Sequence, residues 1–250
     1  MDPDRSVVVI VSAPSPPPTY YPSEEARMKA INNLARPAAD VARILDEAQV
    51  PNILWGMMAM CLVGVWKEEE KDVEFLILDH LITDASNALI AAGFTSCTDP
   101  DCREVQIKGN YRPVPAVHFH IESQYPRHQV LRLYPKSGHL WWLPDFELGP
   151  PAADDPDLML SNDLRLPPFA EKGFSGPWTE LYLIKILNPS SFTEAVWYLI
   201  FRDLGYANMH ETIWLDMIVP LMESHTHPHR TIKRTLRPRF QAMWEEFNFP

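Results

Sequence analysis

A strand, helix, strand, helix order within residues 52–93 constrains the fold of this chain more than any other feature of its sequence. The apolar run Asn52–Trp55 is followed by a glycine and by Met57–Val63, which is apolar on all sides, as a short buried helix would be. Val73–Leu78 is typical of a buried strand, and Leu81–Ala92 has helical spacing and precedes a second glycine. This alternation predicts an α/β (α+β) fold in which a mixed sheet is flanked by helices.

The distribution of proline, charge and helical spacing divides the chain into four segments. A proline-rich arm occupies residues 1–22, and the α/β core is expected over residues 23–143. Residues 144–178 carry seven prolines and several aspartates, which indicates an acidic binding loop, a lid or a disordered insertion. Residues 179–250 have helical spacing and are expected to pack on the core as a C-terminal helical segment.

Capping residues and prolines predict where the remaining elements begin and end. A first helix begins after Ser23, whose hydroxyl can cap it, and is expected to end near Pro37. A second helix follows and ends before Pro51. Further strands are expected over Glu104–Lys108, Val114–Ile121 and Gln129–Tyr134, and further helices over Glu180–Leu187, Thr193–Leu204, His210–Met222 and Pro228–Phe247.

The charge of the chain limits its partners. The net charge is −11, from 22 basic and 33 acidic residues, which argues against a general affinity for nucleic acid and predicts no DNA partner. The segment His225–Pro250 is the exception, since it carries five basic residues and two acidic ones. A basic helix there could contact RNA or another anion, tRNA in particular, or could be an ordinary solvated face. Its candidate contacts are Arg230, Lys233, Arg234 and Arg237.

Hydropathy and cysteine usage indicate a cytoplasmic address. No apolar run approaches the roughly 18 residues of a membrane-spanning helix, and no secretory signal is recognisable, so no membrane partner is expected. Three cysteines are an odd number for a disulfide framework. Cys97 and Cys102 resemble half of a metal site, but no second cysteine pair completes it, so reduced thiols are expected.

Three short motifs follow one another at a recognisable spacing. Leu54–Met57 contains a glycine turn, Leu62–Gly64 ends the predicted helix, and Asp72–Phe75 places two acids two residues apart on a strand. This order resembles the signature of the nucleotidyltransferase superfamily, over residues 50–95 of the chain. In such a pattern the glycine turn lets backbone N–H groups approach a triphosphate, and the two acids point to one face and share a divalent metal.

The resemblance implies a transferase that binds a nucleotide or a similarly charged small molecule. A third acid is expected on a later strand, within residues 117–122, where His118, His120 and Glu122 share one face. The implied catalytic residues are Asp72, Glu74 and Glu122, the implied ligands of Mg²⁺ are Asp72 and Glu74, and the implied nucleotide contacts are Gly56, Met57, His118, His120 and Lys136.

Several residues depart from the superfamily pattern and leave other interpretations open. Met57 stands where a second small residue is expected, and Glu74 replaces the usual aspartate. Asp72 and Glu74 could instead form the polar face of an edge strand. The strand face of His118 could carry a mixed metal or phosphate site, and His225–His229 is either a zinc site or a solvated loop.

Three functions therefore remain open at the level of sequence. The first is a nucleotidyltransferase-like enzyme that acts on a small-molecule acceptor with Mg²⁺. The second is an enzyme of the cyclodipeptide synthase type, which forms peptide bonds from aminoacyl-tRNA on the same scaffold. The third is a binding module in which the catalytic site has decayed.

Overall fold

The computed structural model describes residues 24–63, 72–106, 112–121, 129–168, 176–205, 210–223 and 233–246, with side chains of the first helix from residue 33 onward. The helices are α1 (Glu24–Glu47), α2 (Gly56–Val63), α3 (Ile82–Ala91), α4 (Pro189–Asp203), α5 (His210–Glu223) and α6 (Pro238–Glu246). The strands are β1 (Asn52–Trp55), β2 (Val73–Ile77), β3 (Val117–Ile121), β4 (Gln129–Pro135), β5 (Leu158–Leu160) and β6 (Lys185–Leu187).

The first four strands form one mixed sheet in the order β1-β2-β4-β3. Strand β2 is antiparallel to β1 and parallel to β4, and β3 is antiparallel to β4. The predicted α/β class, with a mixed sheet and flanking helices, is confirmed. The edge-strand interpretation of Asp72 and Glu74 is wrong, because β2 lies inside the sheet between β1 and β4.

Helices cover the sheet and make its central strands fully buried. All five residues of β2 and all eight residues of α2 are buried, which explains why α2 is apolar throughout and why β2 is apolar except for Glu74. Four tryptophans fill the interior, and each is at most 2% exposed. They are Trp55, Trp178, Trp197 and Trp214.

Helix α1 continues through Pro37, where the sequence predicted a break. A proline inside a helix removes one backbone hydrogen bond and costs about 3 kcal/mol. On both sides of Pro37, apolar side chains at helical spacing are fully buried, among them Ala35, Ala38 and Val41. Burial of this face offsets the cost of the proline, so the two predicted helices are one.

Two predicted elements adopt a different conformation. Residues Arg103–Val105 form a single 3₁₀ turn instead of a strand, while residues 107–111 lie outside the described part of the chain. The predicted helix Glu180–Leu187 is instead irregular chain that ends in β6. Strand β6 pairs with β5, and its three residues are all buried, which favours a strand over a helix with one exposed face.

The described part of the proline-rich segment 144–178 lies against the core. Phe146, Met159, Leu166 and Trp178 are all buried, and β5 comes from this segment. In the described ranges, no helix is both long and apolar enough to cross a membrane. The predicted arm of residues 1–22 lies outside the described residues.

Candidate functional site

The two predicted acids and the glycine bend meet at one end of β2. Asp72 directly precedes the strand, and Glu74 is its second residue, paired in register with Trp55 of β1. Gly56 follows Trp55 with a φ of +68°, and a β-carbon placed on it would lie 2.0 Å from Oε2 of Glu74. Only glycine satisfies both the backbone conformation and this close approach, so the bend and the Glu74 carboxylate are packed together.

An arginine that the sequence analysis did not select occupies the centre of this group. Arg132 is the cross-strand neighbour of Glu74 on β4, and its side chain is 3% exposed. Its Nη1 donates to Oδ2 of Asp72 at 2.8 Å and to Oε1 of Glu74 at 3.1 Å. Its Nε and Nη2 donate to the two carboxylate oxygens of Glu104 at 2.6 and 2.9 Å. One guanidinium therefore holds three carboxylates.

A second arginine and a backbone amide complete the acid cluster, defined here as Asp72, Glu74, Glu104, Arg112 and Arg132. Nη1 of Arg112 donates to Oε1 of Glu74 at 2.9 Å. Oδ1 of Asp72 accepts a hydrogen bond from the backbone amide that follows Gln129, at 2.9 Å. Two guanidiniums thus face three carboxylates, and charge-assisted hydrogen bonds of this kind are stronger than neutral ones.

The charge states of the cluster follow from these contacts. Burial alone would raise the pKa of Glu104, but the hydrogen bonds and positive charge of Arg132 outweigh burial and lower that pKa below its ordinary value. Burial likewise opposes the charge of Arg132, but the carboxylates of Glu104, Glu74 and Asp72 raise its pKa above the ordinary value. Glu104 and Arg132 are therefore an ionised pair at neutral pH.

Arg132 limits what Asp72 and Glu74 can bind. A shared Mg²⁺ ion would have to contact oxygens of both carboxylates at about 2.1 Å. The Nη1 atom of Arg132 already lies within hydrogen-bond distance of both residues and supplies the positive charge there. The acids can share a metal only if this guanidinium withdraws.

The space beside the glycine bend is small. A cavity lined by Gly56, Met57, Glu74, Arg112 and Trp214 has room for about one water molecule. The Met57 side chain is buried next to the bend, where the superfamily pattern has a small residue. The cavity beside the glycine bend is therefore too small for a nucleotide.

The other predicted site residues of the core do not all reach the acid cluster. His118 lies beside it, because His118 is the cross-strand neighbour of Arg132 on β3. His120 lies two residues further along the same face and is exposed. Lys136 follows the opposite end of β4, and its Nζ binds Oδ1 of Asp145 at 2.8 Å. Glu122 lies outside the described residues.

Two of the described basic residues of the C-terminal segment are paired with acids. Arg237 contacts Asp157 at 2.8 Å and Glu194 at 3.3 Å, so its guanidinium is used within the fold. Lys233 pairs with Glu245 at 3.2 Å, and Arg234 is exposed. Arg230 and the histidines of His225–His229 lie outside the described residues.

A larger cavity lies away from the acid cluster. It measures about 410 Å³ and lies between the end of α1, β1 and the chain that leads into β6. Leu160, Leu181 and Leu183 provide an apolar wall, and the polar groups of the lining are those of Asp46, Asn52, Tyr182 and Lys185. Its volume falls within the range of roughly 300–1,000 Å³ that is usual for small-molecule sites.

Lys185 is the unusual residue of this cavity. It is 8% exposed and donates a hydrogen bond to the backbone carbonyl of Glu147. Burial lowers the pKa of Lys185, against the opposing effect of Asp46 and Asp155 nearby. A buried ammonium with one carbonyl acceptor is stabilised by an added anion.

Comparison with known proteins gives little further information. No family model matches the chain, and no curated protein matches it. Among solved structures, the chain is similar to the solution structure of the antibiotic-resistance factor ANT(2'')-Ia, at 11% identity and a TM-score of 0.36. The match covers 90% of this chain and 98% of that one. At this TM-score the likeness carries no argument about the activity of the chain.

Proposed function

We propose that this chain is a small-molecule-binding protein on a nucleotidyltransferase-like scaffold, in which the former catalytic acids have become structural. The single observation that carries the proposal is the position of Arg132, whose Nη1 lies 2.8 and 3.1 Å from the carboxylates of Asp72 and Glu74. A guanidinium there provides the positive charge that a metal would otherwise provide. Unlike a metal, it cannot activate a phosphoryl group as a Lewis acid.

The ligand site is the 410 Å³ cavity around Lys185. Its leucine wall suits an apolar body, and the buried ammonium of Lys185 suits one anionic group, so the expected ligand class is an aliphatic or aromatic carboxylic acid. The hydroxyl of Tyr182 is bound to Oδ2 of Asp46 at 2.9 Å and fixes one rim of the cavity.

Thermal unfolding in the presence of carboxylic acids of increasing chain length tests this proposal. We expect longer acids to raise the Tm, because a ligand that binds only the folded state stabilises it. Lys185→Met should abolish the increase, whereas Lys233→Met, which removes an exposed lysine of a surface pair, should retain it. An equal increase in both variants would contradict the assignment of Lys185.

A magnesium-dependent transferase acting on a small-molecule acceptor is the second candidate. It is favoured by the convergence of Asp72, Glu74 and Gly56, which is the arrangement that the superfamily pattern requires. In this candidate, an incoming triphosphate would draw Arg112 and Arg132 away from the acids and free them for Mg²⁺. A Tm increase by a nucleoside triphosphate that requires Mg²⁺, and that Asp72→Asn abolishes, would favour this candidate over the first.

A further inference from the structure

Four side chains that can bind a metal meet at the outer edge of the sheet, next to the acid cluster. They are Cys97, Cys102, His118 and His120, and their potential ligand atoms all lie within 4.8 Å of one another. The Sγ atom of Cys102 is 3.3 Å from Nε2 of His118 and 3.4 Å from Nε2 of His120. This group is separate from Asp72 and Glu74, the acids expected to bind metal.

Strand geometry and backbone hydrogen bonds bring three of these residues together. His118 and His120 are two residues apart on β3 and therefore point to one face, while the side chain of Phe119 between them is fully buried. The amide of Cys97 donates to the carbonyl of His118 at 3.1 Å, and a β-bridge joins Ser96 to Phe119. The backbone thus fixes Cys97 against the strand that carries both histidines.

A turn brings the second cysteine back to the same place. The carboxylate of Asp99 accepts a hydrogen bond from the amide of Asp101 at 2.9 Å, and its carbonyl accepts one from Cys102 at 3.2 Å. These bonds fold the four residues between the cysteines into a compact loop. A spacing of four residues between two cysteine ligands is typical of structural zinc sites.

The distances fit a tetrahedral ion. With Zn–S bonds of about 2.3 Å and Zn–N bonds of about 2.0 Å, sulfur and nitrogen ligands of one zinc ion are about 3.5 Å apart. The two separations measured from Cys102 differ from this value by at most about 0.2 Å. Two thiolates and two neutral imidazoles also balance the charge of a divalent ion and match the soft ligands that zinc prefers.

We propose that Cys97, Cys102, His118 and His120 bind one structural Zn²⁺ ion. Four protein ligands leave no open position, so the ion has no catalytic role and acts by tying residues 97–102 to β3. Glu104 follows Cys102 by two residues and binds Arg132, the neighbour of His118. The ion therefore holds Glu104 in its place within the acid cluster. The proposal does not depend on what the chain binds elsewhere.

Metal analysis of the full chain, purified without a histidine tag from zinc-supplemented cells, tests this proposal. We expect about one zinc per chain, and at least a tenfold lower content in Cys102→Ser. Cys61→Ser is the matched control, because Cys61 is buried in α2 and belongs to no metal cluster among the described residues. His120→Ala gives a second test if Cys102→Ser does not fold, since the ring of His120 is exposed.

Cobalt provides a readout of geometry that zinc lacks. Replacing zinc with Co²⁺ should give the intense d–d bands of a tetrahedral site and thiolate-to-cobalt charge transfer, both absent from Cys102→Ser. Zinc-free wild-type protein that binds neither ion would overturn the proposal. A disulfide between Cys97 and Cys102 in the freshly purified protein, detected as two missing thiols, would also overturn it, as would equal zinc content in all variants.

Discussion

Arg132 connects more of this molecule than any other described side chain at its centre. It is buried between two strands and bonds to Asp72 and Glu74 at the start of β2 and to Glu104 in the turn that follows Cys102. A buried arginine is tolerated because its five donors find carboxylate acceptors. Without it, three buried or half-buried carboxylates would face one another with Arg112 as the remaining cation of the cluster.

Replacing Arg132 with methionine should therefore destabilise the protein strongly at neutral pH. We expect a loss of about 3–5 kcal/mol in the free energy of unfolding, because removing one partner leaves buried charges uncompensated. Urea denaturation at pH 7 measures this loss. Arg43→Met is the control, since Arg43 forms an exposed pair with Glu47 one helical turn away and should change stability by less than about 1 kcal/mol.

The stability of Arg132→Met should change with pH in the opposite direction from the stability of the wild type. The pKa of Glu104 is lowered in the folded state, so its contribution to stability is present above the unfolded value of 4.5 and is lost as the pH falls through the lowered value. In Arg132→Met the clustered carboxylates favour protonation, so acid relieves their repulsion. The stability difference between variant and wild type should shrink from pH 7 to about pH 4, and a constant difference would contradict this account.

Sequence reasoning found part of the acid cluster at the scale of residues. The spacing of Asp72 and Glu74 predicted that both lie on one face, and in the structure both bond to Arg132 while Gly56 packs against Glu74. Glu104 and Arg112 were missed because their contacts with β2 and β4 are long-range, which no local pattern encodes. Arg132 could have been found from the sequence, because it is a single charged residue inside a largely apolar strand, and such a residue needs a buried partner of opposite charge.

At the scale of elements, the turn between β1 and α2 sets the geometry of the site. Gly56 has a φ of +68° and reverses the chain directly against Glu74. The effect of the positive φ can be measured apart from the effect of the close contact, because another glycine in the chain has a positive φ but no close contact. Gly205 follows α4 with a φ of +77°, and nothing lies within 4 Å of a β-carbon placed there.

Alanine substitutions at these two glycines should give different losses of stability. Gly205→Ala has only the left-handed backbone penalty of about 1–2 kcal/mol. Gly56→Ala has the same penalty and in addition a β-carbon 2.0 Å from Oε2 of Glu74, so it should lose at least about 2 kcal/mol more. Chemical denaturation of both variants measures the difference. Equal losses would mean that the Glu74 carboxylate can move away without cost.

Elements with strong local patterns were predictable, and elements fixed by partners were not. Residues 52–93 showed strand, helix, strand and helix in the predicted order, because the apolar periodicity and the glycines were unambiguous. Strand β6 was predicted as a helix, because its three residues are strand-forming only through pairing with β5. Pro37 was predicted to end the first helix, as proline usually does. The buried apolar residues of α1 on both sides of Pro37 stabilise the helix enough for it to continue.

At the scale of the whole molecule, three polar groups surround one mixed sheet. The acid cluster lies at the central strands, the Cys97–His120 ligand group at the β3 edge, and the Lys185 cavity on the β1 side. Each group has a separate partner in this account: a guanidinium, a zinc ion and a small anionic ligand. The net charge of −11 repels anions at long range, so an anionic ligand has to be held by local contacts such as the ammonium of Lys185.

The most direct test of the central claim is a Mn²⁺ titration by isothermal calorimetry, with ATP present and with zinc supplied beforehand. Manganese prefers the oxygen ligands that magnesium uses and reports on the same carboxylates. We expect no saturable heat from Asp72 and Glu74, and identical titrations for the wild type and Asp72→Asn, because Arg132 holds the cation position. A saturable site in the wild type that is absent from Asp72→Asn would contradict the account.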